Sequence, residues 1–150
     1  MTNTERNKQT VAKIYSICWN NGDMEEIDKV FDDNVEHDQF LEDWPKGKEG
    51  FKTLVKFWRT AFPDIKEEAL EIIGEGNKVA SRFRLSGTHL GDFYGIPGTG
   101  RKIDILGAEI FEFNEDGKVI KYFYHEDTMG LFMQIGLLPL DHDKIAGVNN

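Results

Sequence analysis

The end of the last predicted strand carries the side chains best placed for acid/base chemistry. Phe123, His125 and Asp127 alternate along the chain, and a regular strand puts such residues on one face. A carboxylate in an apolar pocket has a raised pKa, because burial penalises its charged form, and it can then act as a general acid or base near neutral pH. His125 could orient Asp127 or shuttle a proton. Alternatively, Asp127 caps the following helix and His125 is a surface residue.

Glu109 is a second acidic candidate. It shares a predicted strand face with Ile105 and Phe111, and carboxylates rarely lie among apolar neighbours without a partner. Glu109 and Asp127 facing one cavity would repel each other and raise one pKa, an arrangement that serves acid/base catalysis. A salt bridge or a subunit contact is the alternative.

Two histidines complete the candidate site. His37 follows a short predicted strand, and it could either enter the pocket or bond to neighbouring backbone. His89 lies on an inward strand face beside a glycine-rich loop, where it could line the pocket mouth or hold the loop in shape, and we favour the structural role.

Large apolar side chains near the helical half mostly belong to the core, but two of them lie in a less regular segment and could form a lid or simply pack there. The predicted pocket lining is His89, Phe40, Trp44, Trp58, Phe62, Phe111 and Phe123, with Phe40 and Trp44 as the lid candidates.

The elements that position these residues change type midway along the chain. Three early segments repeat apolar residues at three- and four-residue spacing, which predicts three helices. Asp23 is the predicted cap of the second helix, and Pro63 ends the third. Strict alternation over residues 79–89, with Arg82 and Arg84 on the solvent face, predicts a strand. Further strands are predicted at residues 65–73, 101–113 and 118–127, and a short helix at 128–135.

Helices followed by antiparallel strands indicate one α+β domain over residues 1–150, in which a curved sheet and the helices enclose a cavity. The net charge of -9, with no run of Lys or Arg, argues against nucleic acid and anionic membranes as partners. One cysteine, a polar N-terminus and no apolar run of bilayer length lead us to expect a cytoplasmic protein. The histidine and cysteine spacing gives little support for a metal site, and no nucleophile elbow or nucleotide-binding loop is recognisable.

Five segments resemble, in order, the SnoaL-like polyketide cyclase family. They are GKEG at 47–50, AFPD at 61–64, GTHLGDFYGIPGTGR at 87–101, FNEDGKV at 113–119 and DTMGLFMQIG at 127–136.

The resemblance implies an NTF2-like cone of three helices against a curved sheet, an apolar pocket for a small hydrophobic molecule, oligomers such as a homodimer, and no cofactor. Members of known activity close a ring in polyketide methyl esters by intramolecular aldol condensation. Their acid/base aspartate matches Asp127. Their pocket histidine lies on the strand before the hairpin, which contains no histidine here, and Glu109 is the candidate for its space.

Three functions therefore follow from the sequence. The first is cofactor-free acid/base catalysis on a small hydrophobic carbonyl or ester, with Asp127 moving the proton and His37 or His125 stabilising the enolate. The second is epoxide hydrolysis or double-bond isomerisation, for which Arg101 would have to lie in the cavity between two carboxylates. The third is ligand binding without catalysis, since a fold does not fix a function.

Overall fold

The computed structural model describes residues 1–38 and 42–138. The first helix, α1, is followed directly by a π-helical segment, and the chain ends in a short helix after the last strand. The elements are α1 (Asn3–Lys13), the π-helical segment (Ile14–Trp19), α2 (Met24–Val30), β1 (Phe31–His37), α3 (Gly47–Ala61), β2 (Lys66–Glu75), β3 (Lys78–Thr88), β4 (Lys102–Phe113), β5 (Val119–Glu126) and α4 (Thr128–Gln134).

The five strands form one sheet in the order β1-β5-β4-β3-β2. β1 runs parallel to β5, and the other neighbouring pairs are antiparallel. The early helices pack on one face of this sheet and enclose the core with it. The predicted α+β architecture, with three N-terminal helices, a mainly antiparallel sheet and a short C-terminal helix, is confirmed. No helix in the described ranges is long and apolar enough to cross a membrane.

The helix boundaries follow from local chemistry. Asp23 caps α2, because its Oδ1 accepts a hydrogen bond of 3.0 Å from the Glu26 backbone N–H. Thr2 and Glu5 form a reciprocal capping box at the start of α1, which the sequence analysis did not predict. α3 ends at Ala61, two residues before Pro63, as expected from the restriction that proline places on its predecessor.

Alternation along β3 divides its side chains between core and solvent as predicted. Phe83 and Leu85 are buried, whereas Arg82 and Arg84 are exposed. The Arg82 Nε lies 3.5 Å from Glu71, and the Arg84 Nε lies 3.0 Å from Asp104 on the neighbouring strand. The inward face of the sheet is therefore apolar except where specific polar residues enter it.

The register of β5 on β4 decides which β5 residues face the helices. Glu109, which points into the core, is paired with Tyr124. Because consecutive side chains on a strand point to opposite faces, Tyr122, Tyr124 and Glu126 face inward. The face that carries Phe123, His125 and Asp127 is the outer one, on which β4 exposes Ile110.

Candidate active site

Three glutamates from three different strands converge inside the cone. Glu67 on β2 and Glu109 on β4 are almost completely buried, with 4% and 2% of their surface exposed. Glu126, at the end of β5, is partly buried and repels both of them. In the described part of the chain, none of the three forms an ion pair with a lysine or arginine. Buried carboxyl groups without a cation are unusual, because their charged forms are poorly solvated.

Burial raises the pKa of all three glutamates. Burial, with repulsion from Glu109 and Glu126, raises the pKa of Glu67 well above its usual range. Burial raises the pKa of Glu109 to about 7, although the nearby Tyr15 and Tyr122 hydroxyls oppose this by favouring its charged form. Burial likewise raises the pKa of Glu126 to about 7. Glu109 and Glu126 can therefore exchange protons near neutral pH, as a general acid or base must.

Several oxygens of this cluster have no hydrogen-bond partner among the described residues. They are Oε2 of Glu67 and both carboxyl oxygens of Glu109. The nearby Tyr15 hydroxyl donates instead to Ser81 Oγ at 2.9 Å, and Ser81 Oγ donates to the Glu71 carbonyl at 2.9 Å. Buried polar atoms are normally paired, so unpaired ones at one place indicate a site that receives a polar group from a ligand or from water.

Two adjoining cavities lead from this cluster toward the surface. The inner cavity is small, about 10 Å³, which is the space that one water molecule needs. The outer cavity measures about 350 Å³. Both share the walls Trp58, Tyr124 and Glu126, so Glu126 stands where they meet. The inner cavity is lined by Trp19, Trp58, Glu67, Phe83, Leu85, Tyr122, Tyr124 and Glu126, and the outer one by Trp58, Phe93, Tyr94, Tyr124, Glu126, Thr128, Leu131 and Phe132.

A glycine in the sheet makes room for the inner cavity wall. Gly107 pairs with Phe83 on β3 and with Glu126 on β5. A Cβ at this position would lie 2.3 Å from Cζ of Phe83 and 2.8 Å from the His125 carbonyl oxygen. Only glycine leaves the Phe83 ring in place beside the carboxyl group of Glu126.

The glycine-rich loop after β3 brings Tyr94 to the rim of the outer cavity. Tyr94 and Gly95 have φ angles of 52° and 81°, and they form a tight turn closed by hydrogen bonds between Phe93 and Ile96. Oδ1 of Asp92 accepts a hydrogen bond of 3.0 Å from the Gly95 N–H. A left-handed φ is unfavourable for tyrosine, so the surrounding structure must hold Tyr94 in this position.

Asp127 and His125 lie outside both cavities. Asp127 is exposed, and its Oδ1 accepts a hydrogen bond of 2.8 Å from the Gly130 N–H as the N-cap of α4. His125 is exposed on the outer face of the sheet. The expectation that Asp127 and Glu109 face one cavity is therefore wrong, because alternation along β5 turns Glu126 inward instead. The inward acidic partners of Glu109 are Glu67 and Glu126.

His37, Trp44 and Phe123 line a separate, open cavity of about 640 Å³ beside β1. Burial lowers the pKa of His37 to about 4, so its ring is neutral at pH 7, and it lies 5.0 Å from the Tyr122 ring. Although this cavity is larger, we favour the inner and outer cavities as the candidate active site, because only these two are lined by carboxyl groups with a raised pKa. Phe40, the other predicted lid residue, lies outside the described residues.

The remaining predicted residues divide between core and cavity. His89 is fully buried, and its Nδ1 lies 3.1 Å from Thr99 Oγ1 and 3.4 Å from the Thr99 backbone N, so it fastens the glycine-rich loop. Phe62 and Phe111 are fully buried in the core and line neither cavity. Trp58 lines both cavities.

Sequence reasoning missed Glu67, Glu126, Tyr94 and Tyr124. Glu126 could have been found, because it alternates with Tyr122 and Tyr124 just as Asp127 alternates with His125. Glu67 gives no such signal, since it is flanked by other charged residues at the start of β2. Within the described ranges, no cluster of three His, Cys, Asp or Glu residues has the geometry to hold a metal ion.

An α+β cone with polar groups at the floor of an aromatic-lined cavity defines an NTF2-like protein. A family model described as SnoaL-like polyketide cyclase matches residues 9–135, and the chain belongs to this family. No curated protein matches the chain.

Solved structures of the same fold support this assignment. TsrD from Streptomyces laurentii is 25% identical, with a TM-score of 0.82 over 92% of this chain and 100% of TsrD. A proposed polyketide cyclase from Bacillus cereus ATCC 10987 is 26% identical, with a TM-score of 0.75 over 89% of this chain and 82% of that protein. AclR, a proposed hydroxylase from Streptomyces galilaeus, is 25% identical, with a TM-score of 0.81 over 97% of this chain and 92% of AclR.

Proposed function

We propose that this protein is a cofactor-independent enzyme that removes a proton from the carbon next to a carbonyl group in a small hydrophobic ketone or ester. The observation that carries this proposal is Glu126, a carboxyl group with a pKa of about 7 at the junction of the inner and outer cavities. A base with this pKa combines a substantial ionised fraction at pH 7 with useful proton affinity.

The first step transfers a proton from the substrate carbon to the Glu126 carboxylate. The electron pair of that C–H bond forms the C=C bond of an enolate, and the π pair of the carbonyl group moves to its oxygen. Tyr94 and Tyr124 line the outer cavity with Glu126. Burial, with repulsion from Glu126, raises the pKa of both tyrosines, so they stay protonated and can donate a hydrogen bond to the developing enolate. The enolate then attacks a second carbonyl carbon in an aldol ring closure, or it is reprotonated elsewhere in an isomerisation.

The aldol outcome fits the family and the name of the Bacillus cereus relative. AclR, named as a hydroxylase, indicates that proteins with this fold differ in their reactions.

Epoxide hydrolysis is less well supported, because Arg101 is exposed and lines neither cavity. Binding without catalysis is the second candidate. The observation that favours it is the helix-capping role of Asp127, but the acidic floor of the cavity is better suited to chemistry than to passive burial.

The outer face of the sheet supports a homodimer. Leu106 and Ile110 are exposed on this face by 45% and 48%. A second copy of the chain would cover these two apolar side chains. Light scattering on the purified protein would give the number of subunits.

Hydrogen–deuterium exchange tests the proposed proton transfer without knowledge of the natural substrate. The probe is 4-phenylbutan-2-one in D₂O. Proton NMR monitors the loss of the signals of the hydrogens on the carbons next to its carbonyl group. We expect the protein to accelerate this exchange, and Glu126→Gln to slow the accelerated rate by about 10² to 10⁴-fold, the usual contribution of a general base.

Two variants serve as controls. Glu68→Gln removes an exposed carboxylate from the strand that carries Glu67, and it should leave the rate unchanged. Asp127→Asn keeps a good N-cap and should also retain activity. Loss of exchange in Asp127→Asn with full activity in Glu126→Gln would assign the base to Asp127 and contradict our proposal. No acceleration over buffer by the unaltered protein would favour the binding function.

A further inference from the structure

The inner cavity combines a very small volume with a high density of acidic groups. Glu67 and Glu126 both line this space, whose size of about 10 Å³ fits one water-sized group. Only 4% of the surface of Glu67 is exposed, and its Oε2 has no hydrogen-bond partner in the described part of the chain. A buried, unpaired carboxyl oxygen in a small cavity is a binding group for whatever enters that cavity.

No positive charge of the described residues compensates these acids. Neither cavity is lined by a lysine, arginine or histidine. The titratable groups that face Glu67 and Glu126 are acids and phenols. They are Tyr15 in the π-helical segment, Glu109, Tyr122 and Tyr124 in the sheet, and Tyr94 in the glycine-rich loop. The potential in the inner cavity is therefore negative whenever one glutamate ionises, and it disfavours an anionic ligand.

Apart from Leu85, the rest of the inner wall is aromatic. Trp19, Trp58 and Tyr124 are among its lining residues, together with Phe83 and Tyr122. The faces of aromatic rings carry partial negative charge and attract cations, most strongly where water is excluded. Aromatic rings and carboxyl groups around one small space are the two features that select an organic cation.

We propose that the inner cavity binds the primary ammonium group of a small amine, whose remaining apolar part occupies the outer cavity. A primary ammonium group is about as large as a water molecule and has three N–H donors. Two of them can be directed to the carboxyl groups of Glu67 and Glu126, while the aromatic walls surround the charge. Charge-assisted hydrogen bonds of this kind are stronger than hydrogen bonds between two neutral groups.

This inference deepens the proposed function, and it rests on that proposal only for the identity of the site. It adds that the substrate carries an amine as well as a carbonyl group. A bound ammonium group favours the ionised form of Glu126, which is the form that can accept a proton. Direct binding measurements test the inference, so their failure would leave the exchange experiment on Glu126 unaffected.

Calorimetry with three matched probes tests the charge preference. The probes are 2-phenylethylamine, 2-phenylethanol and 3-phenylpropanoate, which present a cation, a neutral hydroxyl and an anion on similar apolar bodies. We expect the amine to bind about tenfold more tightly than the alcohol at pH 8, because hydrogen bonds to charged groups are stronger than neutral ones. The propanoate should bind more weakly than either.

Variants locate the site. Glu67→Gln should reduce the preference for amine over alcohol about tenfold, whereas Glu68→Gln, one residue along the strand and exposed, should keep it. Circular dichroism would check that both variants fold. The proposal is overturned if the alcohol binds as tightly as the amine, if Glu67→Gln keeps the preference, or if none of the probes binds up to its solubility limit.

Proton release gives an independent readout on the unaltered protein. Burial raises the pKa of Glu126 to about 7, so this carboxyl group is largely protonated at pH 6 before the ligand arrives. An ammonium group favours its ionised form, so the amine should displace a proton and its affinity should rise from pH 6 to pH 8. Calorimetry in two buffers of different ionisation enthalpy measures this release. An amine affinity that does not change with pH would contradict the proposed contact.

Discussion

Replacing Glu109 by glutamine should stabilise the protein above neutral pH. The carboxyl group of Glu109 is buried, and neither of its oxygens has a hydrogen-bond partner among the described residues. Burial raises its pKa from 4.5 to about 7. Glutamine has nearly the shape of the protonated carboxyl group, but it cannot ionise. The variant therefore removes the cost of a buried charge without leaving a cavity.

The direction of the effect follows from proton binding. Between pH 4.5 and about 7 the folded protein holds the Glu109 proton more tightly than the unfolded chain does. Stability from this group is thus fully present below pH 4.5 and is lost as the pH rises through 7. The difference between the two pKa values corresponds to about 3 kcal/mol. Glu109→Gln should be more stable than the unaltered protein by about 3 kcal/mol at pH 8, and by less than about 1 kcal/mol at pH 5.

Urea unfolding at pH 5 and pH 8 measures both differences. Asp28, Asp33 and Asp64 have a lowered pKa, so their contributions change below about pH 4, outside this range. The lowered pKa of His37 affects both proteins equally and cancels in the comparison. Glu68→Gln is the matched control and should show no such pH dependence. An advantage of Glu109→Gln that is equal at both pH values would refute the assignment of a desolvated, ionisable Glu109.

Two further substitutions test how the sheet shapes the site. Gly107→Ala should destabilise the protein by about 1 to 3 kcal/mol in urea, because its Cβ would lie 2.3 Å from the Phe83 ring. Gly87→Ala, where the nearest atom would be 3.3 Å away, is the comparison, and an equal cost at both sites would contradict the packing argument. Asp127→Ala should cost about 1 kcal/mol through the lost cap of α4, while Asp127→Asn should cost less, and thermal unfolding can compare them. Equal stability of these two variants would show that the cap contributes little.

The sequence by itself determined the elements and their order, because their signals are local. Alternation over residues 79–89 places Phe83 inward and Arg84 outward without help from the rest of the chain. Asp23 needs only the N–H of Glu26 to start α2. The ordered motifs were also sufficient to indicate the family, which the match over residues 9–135 confirms.

The faces of β5 show where local information ends. Tyr122 and Tyr124 alternate with Phe123 and His125, so both faces of this strand are aromatic and a period of two cannot choose between them. The choice is made by pairing with β4, where Glu109 lies opposite Tyr124. A strand shifted by one residue turns every side chain over, and this is why Glu126 rather than Asp127 reaches the cavity.

The acidic cluster itself exists only in the folded sheet. Glu67, Glu109 and Glu126 lie far apart in the sequence, and each could be a solvated surface residue when considered alone. β2, β4 and β5 bring them together because all three side chains lie on the inward face of the same sheet. Burial there, rather than residue type, raises each pKa, and burial is a property of the tertiary structure.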